Sequence, residues 1–419
     1  MNNKNLWTAI GKALAVATVT LIVVVALAPG TSAANNYKAL YKFTGGADGK
    51  DPESALILDA AGNLYGTTNA GGFYGCGAVF ELAKNSDGSW TESVLYAFTG
   101  GNDGSGPFAG LVFDAYGNLY GTTGNGGDYG DGTAYELTPN SDGSWTESVL
   151  HSFNGNDGAN PDRTLTFDGS GNLYGTGPSG GAYGHGVVFK LTPNGDGTWT
   201  DSTIHDFKGG RDGGQPQHGH LIFDAAGNLY GSTTGWFAGD GNGSVFELTP
   251  NADGTWTQTV LYYFRSEYYP FGTLTFDQAG SLYGTTQRGG EHGHGIAFKL
   301  TAGSNGKWKI SVIHQFKGGK DGATPLAGLA FDTAGSLYGT TWNGGGGSCH
   351  DFLGGGCGTV FKLVPNTHGG WTKQMVHRFK GDPIGNPVGE VVLDAAGNLY
   401  ATASDDGSDG LGGVFEITP

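Results

Sequence analysis

The chain has 419 residues, a formal charge of −17, and 82 glycines against 15 prolines. A surface this acidic repels nucleic acid and anionic lipid, and glycine without a three-residue period excludes collagen. Short alternating apolar runs exclude a disordered chain and predict an all-β protein whose glycines mark turns and bulges.

Residues 1–34 read as a secretory signal peptide. Lys4 and Lys12 precede an uncharged apolar run from Ala13 to Ala28, and Pro29 to Ala34 supplies small residues for cleavage after Ala33 or Ala34. The run is shorter than the ~20 residues that span a bilayer, so a leader is expected rather than an anchor. Cleavage at either alanine removes two lysines and no acid, taking −17 to −19. Residues 35–419 are expected to form one domain with no membrane span after leader removal, acting as a monomer.

The mature chain is built from one phrase. An Asp, two residues, Gly, Asn or Ser, then Leu-Tyr recurs at Asp59, Asp114, Asp168, Asp224, Asp277, Asp332 and Asp394. In the second unit, residues 107–114 read as a first strand (A) and 118–123 as a second (B). A Gly-rich loop spans 124–132. Residues 133–138 form a third strand (C), and Asp142-Gly143 makes a hairpin turn into a fourth (D) at 145–153. Four strands repeating at a period near 50 specify a propeller blade, and seven copies close one ring. A Pro precedes strand A in every unit, Trp opens strand D in six, and Phe closes it from Phe43 to Phe379, always with Tyr or His two places earlier. Such internal recurrences concern blade construction. The marker Asp is expected to accept backbone N–H bonds two residues on.

The seventh unit ends after strand C, whereas residues 37–43 read as a strand D with nothing before it. The predicted fold is therefore a seven-bladed β-propeller of four-stranded blades, its last blade completed by the N-terminal strand. Cys349 and Cys357 flank one Gly-rich loop and are expected to pair if the chain is exported, leaving Cys76 odd.

The strings G-N-L-Y-G-T-T-x-x-G-G, G-x-V-F-x-L-T-P and W-T-x-x-x-L-Y-x-F-x-G-G-x-D-G resemble the GloVer tandem repeats of exported bacterial proteins. The resemblance covers about residues 37–419. It implies an extracytoplasmic repeat protein and implies no activity. The surface-sorting tail that some members carry is not expected here.

Function is sought where the repeat breaks on the face formed by the B-to-C and D-to-A loops. The D-to-A loops carry Asp48, Asp103, Asp157, Asp212 and Asp321. A carboxylate ring would suit Ca²⁺, but a repeated Asp-Gly turn accounts for them without metal, and no cofactor is expected. Off-repeat aromatic and basic residues gather in units four to six: Trp236 and Phe237 beside Asp240, Tyr268 and Tyr269, Arg288 with His292, and Trp342. Exposed aromatics beside carboxylates suit stacking on a sugar; gap filling between longer loops is the plainer alternative.

The axis-facing position before strand A is small in five units but is His220 and Glu390 in the other two. With Arg211 and His218 nearby in sequence, such a pair would serve as general acid and base. Two readings follow. One is a secreted binding or interaction propeller recognising a glycan or cell-envelope partner through its loop face. The other is an extracellular carbohydrate-active enzyme, a polysaccharide lyase above all, with its site at the channel mouth.

Overall fold

The computed structural model describes residues 36–217, 219–235, 242–264, 268–347, 349, 355–381, 384–405 and 410–418. Seven antiparallel sheets form seven blades in a ring. The first blade runs Ile57–Leu58, Leu64–Thr68, Ala78–Lys84 and Trp90–Ala97, and the next five follow the same order. The last blade takes Gly385–Pro387, Val392–Leu393 (two pieces of its strand A), Leu399–Asp405 and Gly413–Thr418 from the C-terminal part, and its outermost strand, Asn36–Lys42, from the N-terminal part. There Tyr37 pairs with Ile417 and Lys42 with Gly413, so the ring closes on a hydrogen-bonded ladder as expected.

Strand A is shorter than its apolar run suggested. In most blades it keeps two residues, such as Val112–Phe113. A left-handed residue stands before each repeated proline. Asp51, Asn160, Gln215, Tyr269, Thr324 and Asn386 all have φ between 48° and 58°, and Gly106 takes the equivalent place at 66°. This conformation is strained for non-glycines. The turn aims its N–H backwards: Asn160 donates to Asp131, Gln215 to His185 and Asn386 to Cys357, each on the preceding blade. The proline ring then packs on the glycine that precedes strand C of that blade. A Cβ at Gly132 would lie 2.8 Å from Pro161 Cδ, and one at Gly77 would lie 2.5 Å from Pro107 Cδ.

The marker phrase is a second joint between blades. Asp59 accepts from the N–H groups of Ala61 (2.9 Å) and Asn63 (2.8 Å), as the turn reading expected. Its other oxygen accepts from Asn63 Nδ2 (2.9 Å) and the Tyr65 hydroxyl (3.3 Å), which also donates to Glu81 (2.9 Å). The Tyr65 ring, so held, meets Phe113 of the next blade edge-on at 5.1 Å. Where strand C carries Lys299 or Lys362 in place of that Glu, the marker Asp277 or Asp332 takes an ion pair instead.

The phenylalanine closing each strand D makes a third joint. Phe43 meets Phe80 at 5.1 Å, Phe98 meets Tyr135 at 5.0 Å, and so on round to Phe379 and Phe415 at 5.0 Å. All seven seams carry this pair, and these rings are almost wholly buried. Edge-to-face pairs contribute about 0.5–1.5 kcal/mol each beyond the area they bury.

Candidate binding site at the channel mouth

In four blades the D-to-A loop bridges to the B-to-C loop, as Lys50 does to Ala70 and Ser105 to Asn125, so both loop sets emerge on one face. At the centre of that face the strand A entries surround a cavity of about 390 Å³. That is within the range of small-ligand pockets.

Two rings of repeated positions build its wall. The axis-facing ring supplies Ala55, Gly110, Thr164, His220, Thr273 and Glu390. The residue after each repeated proline supplies the second ring: Glu53, Phe108, Asp162, Phe271, Leu326 and Val388. Arg163, Gln287 and Trp342 complete the polar and aromatic lining.

His220 and Glu390, set three blades apart, meet through one residue. Thr273 Oγ1 is 2.9 Å from His220 Nδ1 and accepts the His220 backbone N–H at 3.2 Å. Glu390 Oε1 accepts from the Thr273 N–H at 2.9 Å and the Gly328 N–H at 3.3 Å. A Cβ on Gly328 would stand 2.8 Å from that oxygen, so the small residue there makes room for the Glu390 carboxylate. The other Glu390 oxygen makes no hydrogen bond among the described residues.

Asp162 and Arg163 pair at 3.1 Å. Burial nevertheless raises the Asp162 carboxyl, with Arg163 opposing. Glu53 is an exposed residue of the cavity wall, and desolvation raises its carboxyl against the pull of Arg163. It has no hydrogen bond or ion pair among the described residues. Among the described residues, Gln287, 7% exposed, has no partner for Oε1, and the buried Trp342 indole N–H has none either.

Of the other site residues expected from sequence, Arg211 is exposed on its D-to-A loop and does not line the cavity. Tyr268 packs nearly parallel to Phe264 at 5.9 Å, as a gap filler. Tyr269 is the pre-proline residue of the fifth blade, with the Arg288 guanidinium 5.9 Å from its ring. His292 is exposed on the B-to-C loop. His218, Trp236, Phe237 and Asp240 lie outside the described residues.

The five loop aspartates stand in five separate seams. Asp48 accepts from the Tyr41 hydroxyl (3.0 Å) and from Thr44 N–H and Oγ1 (2.7 and 2.6 Å), and Asp103 repeats this with Tyr96 and Thr99. Asp157, Asp212 and Asp321 face His151, His205 and His314 at 3.1, 3.4 and 3.1 Å. The alternation of Tyr and His near the end of strand D thus supplies a partner for the loop aspartate. A third residue enters each of these seams from the next blade: Glu92, Glu147, Asp201, Gln258 or Lys373. Lys373 brings its own cation to Asp321 at 2.8 Å. Only His151, Asp157 and Asp201 among the described residues offer three metal-ligating atoms within 4.8 Å of one another. Burial, then repulsion by Asp48 or Asp103, pushes Glu92 and Glu147 each up to about 7.

The Cys349–Cys357 disulfide forms as expected, with Cα atoms 5.1 Å apart, and Cys76 is free. No helix among the described residues is long and apolar enough to cross a membrane.

The sequence profile of the Gloeobacter/Verrucomicrobia repeat matches residues 23–166 and 129–354, well over half of the chain. The chain belongs to this repeat family. No curated protein matches it. Among solved structures it is similar to PorZ, a surface component of the type-IX secretion system of Porphyromonas gingivalis, at 14% identity and a TM-score of 0.52 over 87% of this chain and 46% of that one. It is also similar to the extracellular domain of BT4673 from B. thetaiotaomicron, described as a one-component system, at 12% identity and a TM-score of 0.55 over 91% of this chain and 39% of that one. This chain spans less than half the length of either, and likeness at such identity concerns the fold.

Glu53, Asp162, Arg163 and Gln287 were missed from sequence. The signal lay in the place after each repeated proline: Phe108, Phe271, Leu326 and Val388 are apolar, whereas Glu53 and Asp162 are charged. Also missed were the exposed rings of three successive B-to-C loops: Phe73 and Tyr74, Tyr129 and Tyr183, at 75%, 57%, 66% and 54% exposure.

Proposed function

We propose that this repeat protein is an extracytoplasmic binding propeller that takes a glycan end at the mouth of its central channel. The observation that carries the proposal is the channel-mouth cavity, where buried unpartnered groups (Gln287 Oε1 and the Trp342 indole N–H) stand beside Phe108 and Phe271. Buried polar groups without partners are costly, and a polyhydroxylated ligand satisfies donor and acceptor alike. Stacking on aromatic faces supplies the apolar part of sugar recognition. The exposed tyrosines of blades one to three extend an aromatic surface outward on the same face. Family membership, the disulfide and the extracellular setting of both structural neighbours support an extracytoplasmic location.

A glycan array with the mature protein tests the proposal. Binding to a defined glycan, weakened about tenfold or more by Trp342→Ala with an unchanged melting temperature, is the expected result. An array with no hits, or a hit indifferent to Trp342→Ala, overturns it.

The Glu390–Thr273–His220 chain favours a second reading, a carbohydrate-active enzyme such as a polysaccharide lyase. Turnover abolished by His220→Ala in a polysaccharide degradation screen would establish the enzyme; its absence leaves the binder.

A further inference from the structure

The geometry points to an amine-bearing sugar, one with a free ammonium group on its ring, as the ligand selected at the channel mouth over neutral and acidic sugars. This rests on the glycan-binding reading above. The titratable lining is Glu53, Asp162, Glu390, Arg163 and His220. Three carboxylates against one guanidinium leave −2 with His220 neutral, and the Arg163 guanidinium already faces Asp162.

Glu53 has no partner, and one oxygen of Glu390 is unengaged. Gln287 adds a buried acceptor with nothing to accept. Acceptors thus outnumber donors. An ammonium group brings three donors and no acceptor, which matches that surplus. Phe108, Phe271 and Trp342 line the same space, and aromatic rings there suit a cation as well as a sugar. The hydroxyls of the sugar meet the remaining donor, the Trp342 indole N–H.

A uronate meets the opposite situation. Its carboxylate would enter a lumen of like charge, with the local guanidinium taken. β-Elimination needs a proton made acidic by such a carboxylate, so the same electrostatics weigh against the lyase reading.

Titration calorimetry of the mature protein at pH 7 against four short oligosaccharides tests the inference: a glucosamine oligomer, its N-acetylated counterpart, a glucose oligomer and a galacturonate oligomer. The glucosamine oligomer is expected to bind about tenfold or more tighter than the other three, since hydrogen bonds to a charged group are the stronger ones. Glu53→Gln and Glu390→Gln should each narrow that preference at an unchanged melting temperature. Glu53 has no partner, so its replacement leaves the fold intact, and glutamine at 390 keeps an acceptor for the Thr273 and Gly328 N–H groups. Equal binding of the amine and its acetylated counterpart overturns the charge inference and leaves glycan binding standing. Binding of a plain alkyl diamine with no sugar bound overturns the glycan reading and leaves the preference for a cation. Silence with all five probes overturns both.

Discussion

Glu92 and Glu147 make the stability of the ring depend on pH in a direction opposite to that of an ordinary acid. Each lies in a seam beside a loop aspartate that is already hydrogen-bonded, and each has one buried oxygen without a partner. Burial and that like charge push both acids up to about 7, against about 4.3 in an unfolded chain. Between those values the folded chain holds protons that the unfolded chain has lost. Stability therefore falls as pH rises through about 7 and is fully regained only below the unfolded value. A fully buried acid so displaced would cost about 4 kcal/mol at pH 8; both are only partly buried, and solvent screening reduces this to about 1 kcal/mol each. The double variant Glu92→Gln/Glu147→Gln cannot ionise, so it should exceed the parent by about 2 kcal/mol at pH 8 and by nothing at pH 4.5. For roughly 380 residues that is a melting shift of about 2–3 °C, read by calorimetry at both pH values. Burial of His377, which lowers it to about 4, costs stability as pH falls below its ordinary value of 6.5. That effect is common to both proteins and cancels in the comparison. A gap of equal size at pH 4.5 and pH 8 would refute the reasoning.

Three further outcomes follow from the joints. Deleting residues 35–43 removes a ladder strand, the Tyr37–His377 stack at 4.4 Å and the Phe43–Phe80 pair at 5.1 Å, so the melting temperature should drop by about 10 °C or more; an unchanged melting curve would disprove the shared blade. Gly132→Ala places a Cβ 2.3 Å from Thr123 O at φ 98° and should cost about 2–4 kcal/mol in urea unfolding. Gly143→Ala, at φ 86° with nothing within 4 Å, should cost only about 1 kcal/mol, and equal costs would count against the proline notch. Reducing the Cys349–Cys357 bond, with its sequence separation of 8, should cost about 2.5 kcal/mol of unfolding free energy, whereas no change would mean that the bond does not constrain the unfolded chain.

The ring was legible because each of its joints repeats. Seven Leu-Tyr phrases and seven terminal phenylalanines announce seven seams, and the orphan strand at residues 37–43 announces its own partner. The left-handed residue before each proline was not legible, because proline fixes its own φ and biases the residue before it toward extended backbone. The candidate site was half legible. His220 and Glu390 broke a small-residue pattern and could be noticed, but their meeting depends on Thr273 of a blade between theirs, a residue that keeps the pattern. Glu53 and Asp162 escaped because an acid near a turn is unremarkable in a chain with 38 of them. Only the radius of the channel makes them neighbours.

The ladder from Tyr37 to Ile417 also sets an order of events. These partners are 380 residues apart in sequence, so the strand made first is among the last to find its place. Six blades can assemble from contacts local to each repeat, but the seventh must await the end of the chain. Closing so long a loop is entropically costly only in proportion to the logarithm of its length, yet contacts of such sequence separation form slowly. Once latched, the ring has no free end from which to peel, and unfolding must begin by breaking that ladder or a seam. A long-lived folded state, measured as a slow unfolding rate rather than a high equilibrium stability, is the form of durability this closure gives the ring.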